Sequence, residues 1–269
     1  MTKDRQYWDR VAAGWLIEHP QGLWRRHSDR VYGGLLRRWL PEARAARLLK
    51  TDLFDETVSE GLYPVLTHSA DEVCGIDLAP SAVRSARMRH TSLHGVVSDV
   101  RRLPFDDGTF DIVISNSTLD HFDRQPEIVV ALRELRRVLR PGGGLLVTLD
   151  NLANPAIALR NALPNRLLQR LGWVPYDVGA SFSPAGLRRA LGAAGFSAVR
   201  MTTVMHHPSV LAVRLAAWVQ RHASSVGRER FLAVLDGLEA LGSLPTARFT
   251  GHYVAAWASR DEDFVSTSP

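Results

Sequence analysis

The stretch VCGIDLAP at residues 73–80 decides the fold of this chain. Its apolar run ends in an acidic residue, Asp77, and Pro80 suits the first turn of a following helix. Parallel strands are covered by helices on both faces, so they read as continuous apolar runs of this kind. The stretch therefore predicts one strand and one helix of a doubly wound α/β sheet.

The same pattern occurs at two further places. GVVSD at 95–99 ends in Asp99, and FDIVISN at 110–116 ends in Asn116. Ligands of open α/β sheets bind outside the carboxyl ends of the strands, so Asp77, Asp99 and Asn116 are expected to line one crevice. A rigid carboxylate at a strand end, such as that of Asp77, can accept both hydroxyls of a ribose.

Strand and helix patterns alternate along most of the chain. Strands are predicted at 47–53, 72–77, 93–98, 109–116, 145–149, 197–205 and 248–258. Helices are predicted at 4–40, 56–66, 80–90, 126–139, 156–171, 183–195, 210–223 and 229–241. This rhythm indicates a mostly parallel sheet with helices on both faces.

Composition excludes several classes of protein. The chain has 269 residues, 45% of them hydrophobic, and one cysteine, Cys74, so neither an internal disulfide nor a zinc cluster of cysteines can form. The polar amino terminus lacks a signal-peptide core, and no apolar run reaches the length of a membrane span. We therefore expect a cytoplasmic protein.

The net charge of +5 comes mainly from arginines spaced along helix faces. This spacing is typical of solvated faces rather than of a nucleic-acid groove, so no nucleic-acid partner is expected. The apolar helix at 210–223, with Trp218, indicates a core, dimer or lid surface rather than membrane attachment. The partner expected is a small-molecule substrate, and a homodimer is possible.

Four segments together resemble class I S-adenosylmethionine-dependent methyltransferases, and their order and spacing agree with that family. These segments are 75–83, 99–111, 134–146 and 183–196. The resemblance implies a Rossmann-like sheet of seven mostly parallel strands with an antiparallel last strand. The resemblance covers roughly residues 44–259, so we expect a methyltransferase-like domain at 43–260 with a helical insertion or lid at 209–242. The spacing of apolar residues predicts an N-terminal helical cap at 1–42, and a flexible tail is expected at 261–269.

The first motif of that family is altered in this chain. Asp52 stands in the acidic place, but Phe54, Glu56 and Val58 stand where glycines are expected. Glycine there allows a close approach of the backbone to the ligand. Two interpretations remain open: a remodelled cofactor clasp, or weakened or lost cofactor binding.

The resemblance implies S-adenosylmethionine as the cofactor, with S-adenosylhomocysteine as its product. The residues implied to bind it are Thr51, Asp52, Leu53, Asp55, Glu56, Asp77, Leu78, Asp99, Val100, Ser115 and Asn116. Asp77 is assigned to the ribose, and Asp99 and Val100 are assigned to the adenine. No metal is expected, because the adjacent His206 and His207 point to opposite faces of a strand.

His121 follows the fourth predicted strand, where the family places active-site residues. Its ordinary pKa lies near neutral pH, so it is the candidate general base, and Asp120 could orient it. The predicted function is methyl transfer to oxygen, nitrogen or carbon of a small metabolite. The alternatives are an enzyme of the same fold with non-methylating chemistry, and a non-catalytic binding module.

Overall fold

A seven-stranded sheet lies at the centre of the protein, whose computed structural model describes residues 3–18, 22–174 and 176–261. The strands are β1 (Ala45–Lys50), β2 (Ala70–Asp77), β3 (His94–Val97), β4 (Phe110–Asn116), β5 (Leu139–Asp150), β6 (Ser197–Val204) and β7 (Tyr253–Ser259). Their order in the sheet is β3-β2-β1-β4-β5-β7-β6. Strand β7 is antiparallel to both of its neighbours, and the other neighbouring pairs are parallel. The predicted fold class is confirmed.

Helices connect the strands, and two short 3-10 helices, Leu119–His121 and Glu239–Ser243, interrupt the connections. The α-helices are α1 (Lys3–Glu18), α2 (Gly22–Trp39), α3 (Phe54–Val58), α4 (Tyr63–Ser69), α5 (Pro80–Arg89), α6 (Gln125–Val138), α7 (Pro155–Ala162), α8 (Asn165–Arg170), α9 (Pro184–Ala193), α10 (Ser209–His222), α11 (Ser225–Leu238) and α12 (Ala247–Thr250). Helix α9 begins as its sequence predicts, since the Ser183 side chain accepts a hydrogen bond from the Gly186 amide and Pro184 occupies the first turn.

Both faces of the sheet are buried, as two neighbouring residues of β1 illustrate. Leu48 and Leu49 point to opposite faces, and neither has exposed surface. Leu49 belongs to an apolar cluster that includes residues of α6 and α9, and Leu48 belongs to another that includes residues of α2, α4 and α5. Because both layers are closely packed, the carboxyl ends of the strands are held in a rigid row.

The N-terminal region is helical, as predicted, and forms α1 and α2. Helix α1 contacts α5, and α2 contacts α10 and α11. The side chain of Trp15 and the residues of the predicted tail from 262 onward lie outside the described part of the chain. Within the described residues, no helix combines the length and the apolar character needed to cross a membrane.

The segment after β1 differs from its prediction. The strand predicted at 47–53 already ends at Lys50, and the helix predicted at 56–66 is divided into α3 and α4. Between the two helices, Gly61 has a φ of +58°. That left-handed conformation is one that glycine adopts without steric cost, so the chain changes direction there.

The final strand is shorter than predicted. It begins at Tyr253 rather than at 248, and the preceding residues form α12. The Asn151 side-chain amide donates to the carbonyl oxygens of Arg248, at 2.8 Å, and Gly251, at 3.0 Å. These hydrogen bonds hold the segment as a turn, because tertiary contacts override the strand preference of its aromatic and β-branched residues.

Candidate active site

A cavity of about 1410 Å³ lies over the carboxyl ends of β1, β2 and β4. It is the crevice that the strand-end pattern predicts. Nine of the predicted site residues line it: Thr51, Asp52, Asp55, Asp77, Leu78, Asp99, Val100, Asn116 and His121. Leu53, Glu56, Ser115 and Asp120 have other surroundings, which are described below.

Asp77 is the last residue of β2, and its carboxylate accepts hydrogen bonds from two backbone amides. Its Oδ1 accepts from the Ala79 amide at 2.7 Å, and its Oδ2 accepts from the Leu53 amide at 3.1 Å. Each oxygen retains a lone pair, because an ionised carboxylate can accept about four hydrogen bonds. Burial and the neighbouring Asp52 raise the pKa of Asp77 to about 7. The carboxylate is therefore oriented and partly desolvated before any ligand binds.

The loop after β1 is organised around a buried cation. Lys50 pairs with Glu56 at 2.8 Å, and neither side chain is exposed. Burial opposes the charge of Lys50, but Glu56 and Asp52 outweigh it and raise its pKa. Glu56 also accepts from the Leu62 amide at 3.0 Å. The structure thus places Glu56 beneath the loop, not on the cavity wall that the prediction gave it.

The side chains of Leu53 and Ser115 lie beneath the cavity wall and contact other parts of the protein. A Cβ atom added at Gly75 would lie 2.4 Å from a Leu53 methyl group, so Leu53 packs directly against the β2 backbone. Ser115 is fully buried, and its hydroxyl accepts from the Thr51 hydroxyl at 3.0 Å. The side chains of these two predicted cofactor residues are therefore engaged within the protein, while Thr51 itself reaches the cavity.

Asp55 joins the loop to the N-terminal cap. Its carboxylate forms an ion pair with Arg25 of α2 and accepts from the Asn116 amide at 3.3 Å. The Arg25 guanidinium also lies 4.8 Å from the centre of the Phe54 ring. Arg25 is not among the predicted site residues, because an arginine on an amphipathic helix resembles any other solvated residue.

Asp99 is already paired. Its carboxylate accepts from Arg101 at 2.6 Å and 3.0 Å, and Arg101 also donates to Glu127 at 2.8 Å. Burial opposes ionisation of Asp99, but the Arg101 hydrogen bonds outweigh it and lower the pKa of the carboxyl. Asp99 and its neighbour Val100 line the same end of the cavity.

His121 is enclosed by aromatic rings. Its ring centre lies 4.5 Å from that of Trp8 in α1 and 5.5 Å from that of Tyr176. Burial lowers the pKa of His121, against the opposing effect of Asp52. Among the described residues, its Nδ1 atom has no hydrogen-bond partner. His121 is therefore a neutral, desolvated imidazole on the cavity wall.

Asp120 does not orient His121. Its Oδ2 accepts from the Asp150 amide at 3.0 Å and from the Ser117 hydroxyl at 3.3 Å. Burial and the nearby Asp150 raise the pKa of Asp120 to about 8. The structure gives Asp120 a place below the site, where it fixes the turn that carries His121.

A second polar cluster also reaches the cavity, through Arg160, Ser209 and His252. His252 contacts the Ser209 hydroxyl through Nδ1, and its Nε2 lies 3.3 Å from Asp150, which also pairs with Arg160. Burial opposes the charge of Asp150, but Arg160 and His252 hold its pKa at about 2. These residues could not be connected from the sequence, because they lie far apart in the chain and only the fold brings them together.

A Rossmann-like sheet with an acidic residue ending β2 and a cavity over the strand ends is the arrangement in which open α/β proteins bind nucleotide-type cofactors. Residues 58–147 match the family model described as a methyltransferase domain. This part of the chain is therefore similar to a methyltransferase domain, in agreement with the resemblance to class I methyltransferases, whose cofactor is S-adenosylmethionine.

A relative of this chain is malonyl-[acyl-carrier protein] O-methyltransferase from Pseudescherichia vulneris, which is 34% identical over 77 residues. The match covers 29% of this chain and 30% of that protein. The chain thus matches less than a third of the length of this relative.

Two solved structures share the fold. The [4+2]-cyclase SpnF is 22% identical with a TM-score of 0.57, and the comparison covers 87% of this chain and 81% of that one. Geranyl diphosphate C-methyltransferase from Streptomyces coelicolor A3(2), solved with Mg²⁺, geranyl diphosphate and S-adenosylhomocysteine, is 15% identical with a TM-score of 0.57. That comparison covers 85% of this chain and 78% of that one.

Proposed function

We propose that this protein transfers the methyl group of S-adenosylmethionine to a small-molecule acceptor. The observation that carries the proposal is a single cavity that joins the acidic strand ends to an aromatic wall with two histidines. Pockets for one small ligand measure about 300–1,000 Å³. At about 1410 Å³, the cavity has room for the cofactor and an acceptor together.

The residues at the strand ends fit the cofactor by their chemistry. The free lone pairs of Asp77 suit the ribose hydroxyls, and the apolar side chains of Leu78 and Val100 suit the adenine face. The Oδ1 atom of Asn116 is buried and lacks a partner within the described residues. An ammonium group, such as that of the methionine end, would satisfy it, and the carboxylates of Asp52 and Asp55 line the same cavity.

Asp99 is proposed to flank the adenine while it remains paired with Arg101. A carboxylate offers about four acceptor positions, so the Arg101 hydrogen bonds leave room for an adenine amino group. The pairing also fixes the direction of the carboxylate. Arg101 is in this respect a positioning residue, and it is not among the residues predicted from the sequence.

The acceptor half of the cavity favours a flat, partly apolar small molecule. Trp8, Trp24, Tyr32 and Tyr176 line it, together with the Ser209 hydroxyl. Aromatic walls with a few polar groups are typical of small-ligand pockets. Such an enclosed wall supports a small molecule rather than a nucleic-acid acceptor.

The bound cofactor would supply an electrophilic methyl group, so the protein has mainly to align the acceptor. If the acceptor is a hydroxyl or a protonated amine, His121 takes its proton at Nδ1, the ring nitrogen that has no described hydrogen-bond partner. His252 is the second candidate base, because Asp150 orients it and Ser209 lies next to it.

Binding and turnover measurements test this proposal in two steps. First, the chain is titrated with S-adenosylhomocysteine by calorimetry. Next, it is incubated with methyl-labelled S-adenosylmethionine and a panel of hydroxylated, aminated and aromatic metabolites, with tRNA in a parallel reaction. Label in a small molecule supports the proposal, and label only in tRNA contradicts the acceptor class.

The same measurements distinguish the alternatives. Cofactor binding combined with a changed but unlabelled product indicates non-methylating chemistry in the same fold. No binding at millimolar S-adenosylmethionine or S-adenosylhomocysteine indicates a non-catalytic module, and the altered loop after β1 would then be the cause.

A further inference from the structure

Three potential metal ligands meet outside the cavity wall. They are His27 of α2, His207 after β6 and Glu239 in the 3-10 helix that follows α11. One ligand atom from each lies within 4.8 Å of the others. Both histidines are buried, and Glu239 is partly buried.

The two imidazoles have nitrogen atoms without partners. Among the described residues, His27 Nε2 and both ring nitrogens of His207 are buried and have no hydrogen bond. The exposed fraction is 0% for His27 and 6% for His207. Buried polar atoms nearly always have partners, so this cluster of unpartnered atoms in one place points to a missing ligand.

His27 is oriented as metal-bound histidines are. Its other nitrogen, Nδ1, lies 2.9 Å from the Asp236 carboxylate, which Arg30 also contacts at 2.9 Å. A carboxylate behind a ligating histidine fixes its tautomer and leaves the opposite nitrogen free for the metal. Here that opposite nitrogen is the unpartnered Nε2.

The neighbouring histidine has a different environment. His206 lies 2.8 Å from the Thr250 hydroxyl through Nδ1 and 3.0 Å from the Thr203 carbonyl through Nε2. Both of its ring nitrogens are therefore occupied, whereas His207 points towards α2. Glu239 accepts from the His206 and Met205 amides at 2.8 Å and 3.1 Å, which holds its carboxylate next to His207.

We propose that His27, His207 and Glu239 bind one divalent transition-metal ion of the zinc class. Two imidazoles and one carboxylate suit Zn²⁺, whereas Ca²⁺ and Mg²⁺ prefer oxygen ligands only. Metal bonds of about 2.0–2.1 Å would draw the three side chains together. A water molecule would complete a four-coordinate site.

The ion would fix the cap to the domain. It would join α2 to the segment after β6 and to the 3-10 helix. Trp24 of α2 packs edge-on against His207, with ring centres 5.1 Å apart, and also lines the cavity. The ion would therefore stabilise one part of the acceptor wall without itself contacting the cavity.

Metal analysis of the full chain, freed of any affinity tag, tests this site. The protein is stripped with chelator, incubated with Zn²⁺, dialysed and measured by elemental mass spectrometry. We expect one Zn²⁺ per chain, a higher Tm with Zn²⁺ than without it, and a Co²⁺ derivative with the visible absorption of a four-coordinate site. Less than stoichiometric Zn²⁺ in the folded wild-type chain would overturn the proposal.

Variants identify the ligands. His207→Ala and His27→Gln are expected to abolish stoichiometric binding and the rise in Tm, and Asp236→Asn to weaken binding about 10–100-fold. His222→Ala is the matched control, because His222 is exposed in α10 and its hydrogen bond and ring contact are to Trp218 of the same helix. Circular dichroism identifies variants that fail to fold. A folded His207→Ala and a folded His27→Gln that still bind Zn²⁺ like the wild type would refute the assignment.

Discussion

Lys50 and Glu56 form an ion pair, 2.8 Å from Nζ to Oε2, in which neither side chain has exposed surface. The pair lies under the loop where related domains carry glycines, and Lys50 also donates to the Asp52 carbonyl. The loop is thus built around a buried charge. Its bulky residues are compatible with a cavity above it, because the Glu56 side chain points inward.

Removing one partner of this pair should destabilise the protein. We expect Lys50→Met to lower the free energy of unfolding by about 3–5 kcal/mol, since Glu56 would remain as an uncompensated buried charge. Urea unfolding measures the change. Replacing Glu56 by Leu in the same chain should recover part of the loss. A Lys50→Met variant as stable as the wild type would show that the pair does not support the loop.

Gly61 should not tolerate a side chain. A Cβ there would lie 2.7 Å from the Glu56 carboxylate, and the φ of +58° would strain any L-residue. We expect Gly61→Ala to destabilise the protein by more than about 1 kcal/mol. Gly34→Ala is the control: Gly34 lies in α2 with open space around it, so this change should stabilise by about 0.5–1 kcal/mol. Equal effects of the two substitutions on Tm would contradict the proposed geometry.

Asp77 should contribute directly to cofactor affinity. Replacing it with Ala removes the proposed acceptor of the ribose hydroxyls, so S-adenosylhomocysteine should bind about 1.5–3 kcal/mol more weakly. Calorimetry provides the affinity, and Asp71→Ala, a change at an exposed salt bridge, serves as the control. If a folded Asp77→Ala variant bound S-adenosylhomocysteine as tightly as the wild type, Asp77 would not be a cofactor-binding residue.

The cofactor-free protein should lose stability as the pH rises towards 8. An Asp in the unfolded chain titrates near about 3.9, whereas burial raises the pKa of Asp77 to about 7. Between these values Asp77 is more protonated in the folded than in the unfolded state, so its contribution to stability falls with rising pH. Burial lowers the pKa of His207 to about 3, so its contribution changes in the opposite direction below about 6.5. Asp77→Asn should reduce this fall, by at most about 4 kcal/mol. Part of the pH dependence of stability should persist in the variant, because the pKa of Asp29 is also about 7 and that of Asp120 is about 8. An identical pH dependence of Tm in the variant would refute the raised pKa of Asp77.

The two candidate bases can be separated by kinetics. If His121 removes the acceptor proton, His121→Asn should lower kcat by about 10²–10⁴-fold with little change in cofactor affinity. His252→Asn should then mainly raise KM for the acceptor. If instead His252→Asn lowered kcat and His121→Asn mainly raised KM, His252 would be the general base. Full turnover in both folded variants would indicate an acceptor that arrives without a proton.

Much of the fold could be predicted from local sequence. The apolar runs that end in Asp77, Asp99 and Asn116 identify strands by their own composition, and ends of parallel strands share one edge of a sheet. The loop after β1 was less predictable, because Lys50 and Glu56 adopt their places only when both are buried together.

Other parts of the site could not be predicted for a related reason. Arg25 meets Asp55, and His252 meets Ser209 and Asp150, across long separations in sequence. None of these residues belongs to a local pattern that distinguishes it from a surface or core residue of the same type. The tertiary fold creates the relationship, so the signal appears only in three dimensions.

The cavity is lined both by residues inside the family match and by residues outside it. The family match ends at 147, whereas Trp8, Trp24 and His252 on the acceptor wall lie outside it. The helices that carry Trp8 and Trp24 can therefore be exchanged without altering Asp77, Asp99 or Asn116 at the strand ends. Chimeras that exchange the two N-terminal helices should show this division, provided that the new cap keeps an arginine to meet Asp55.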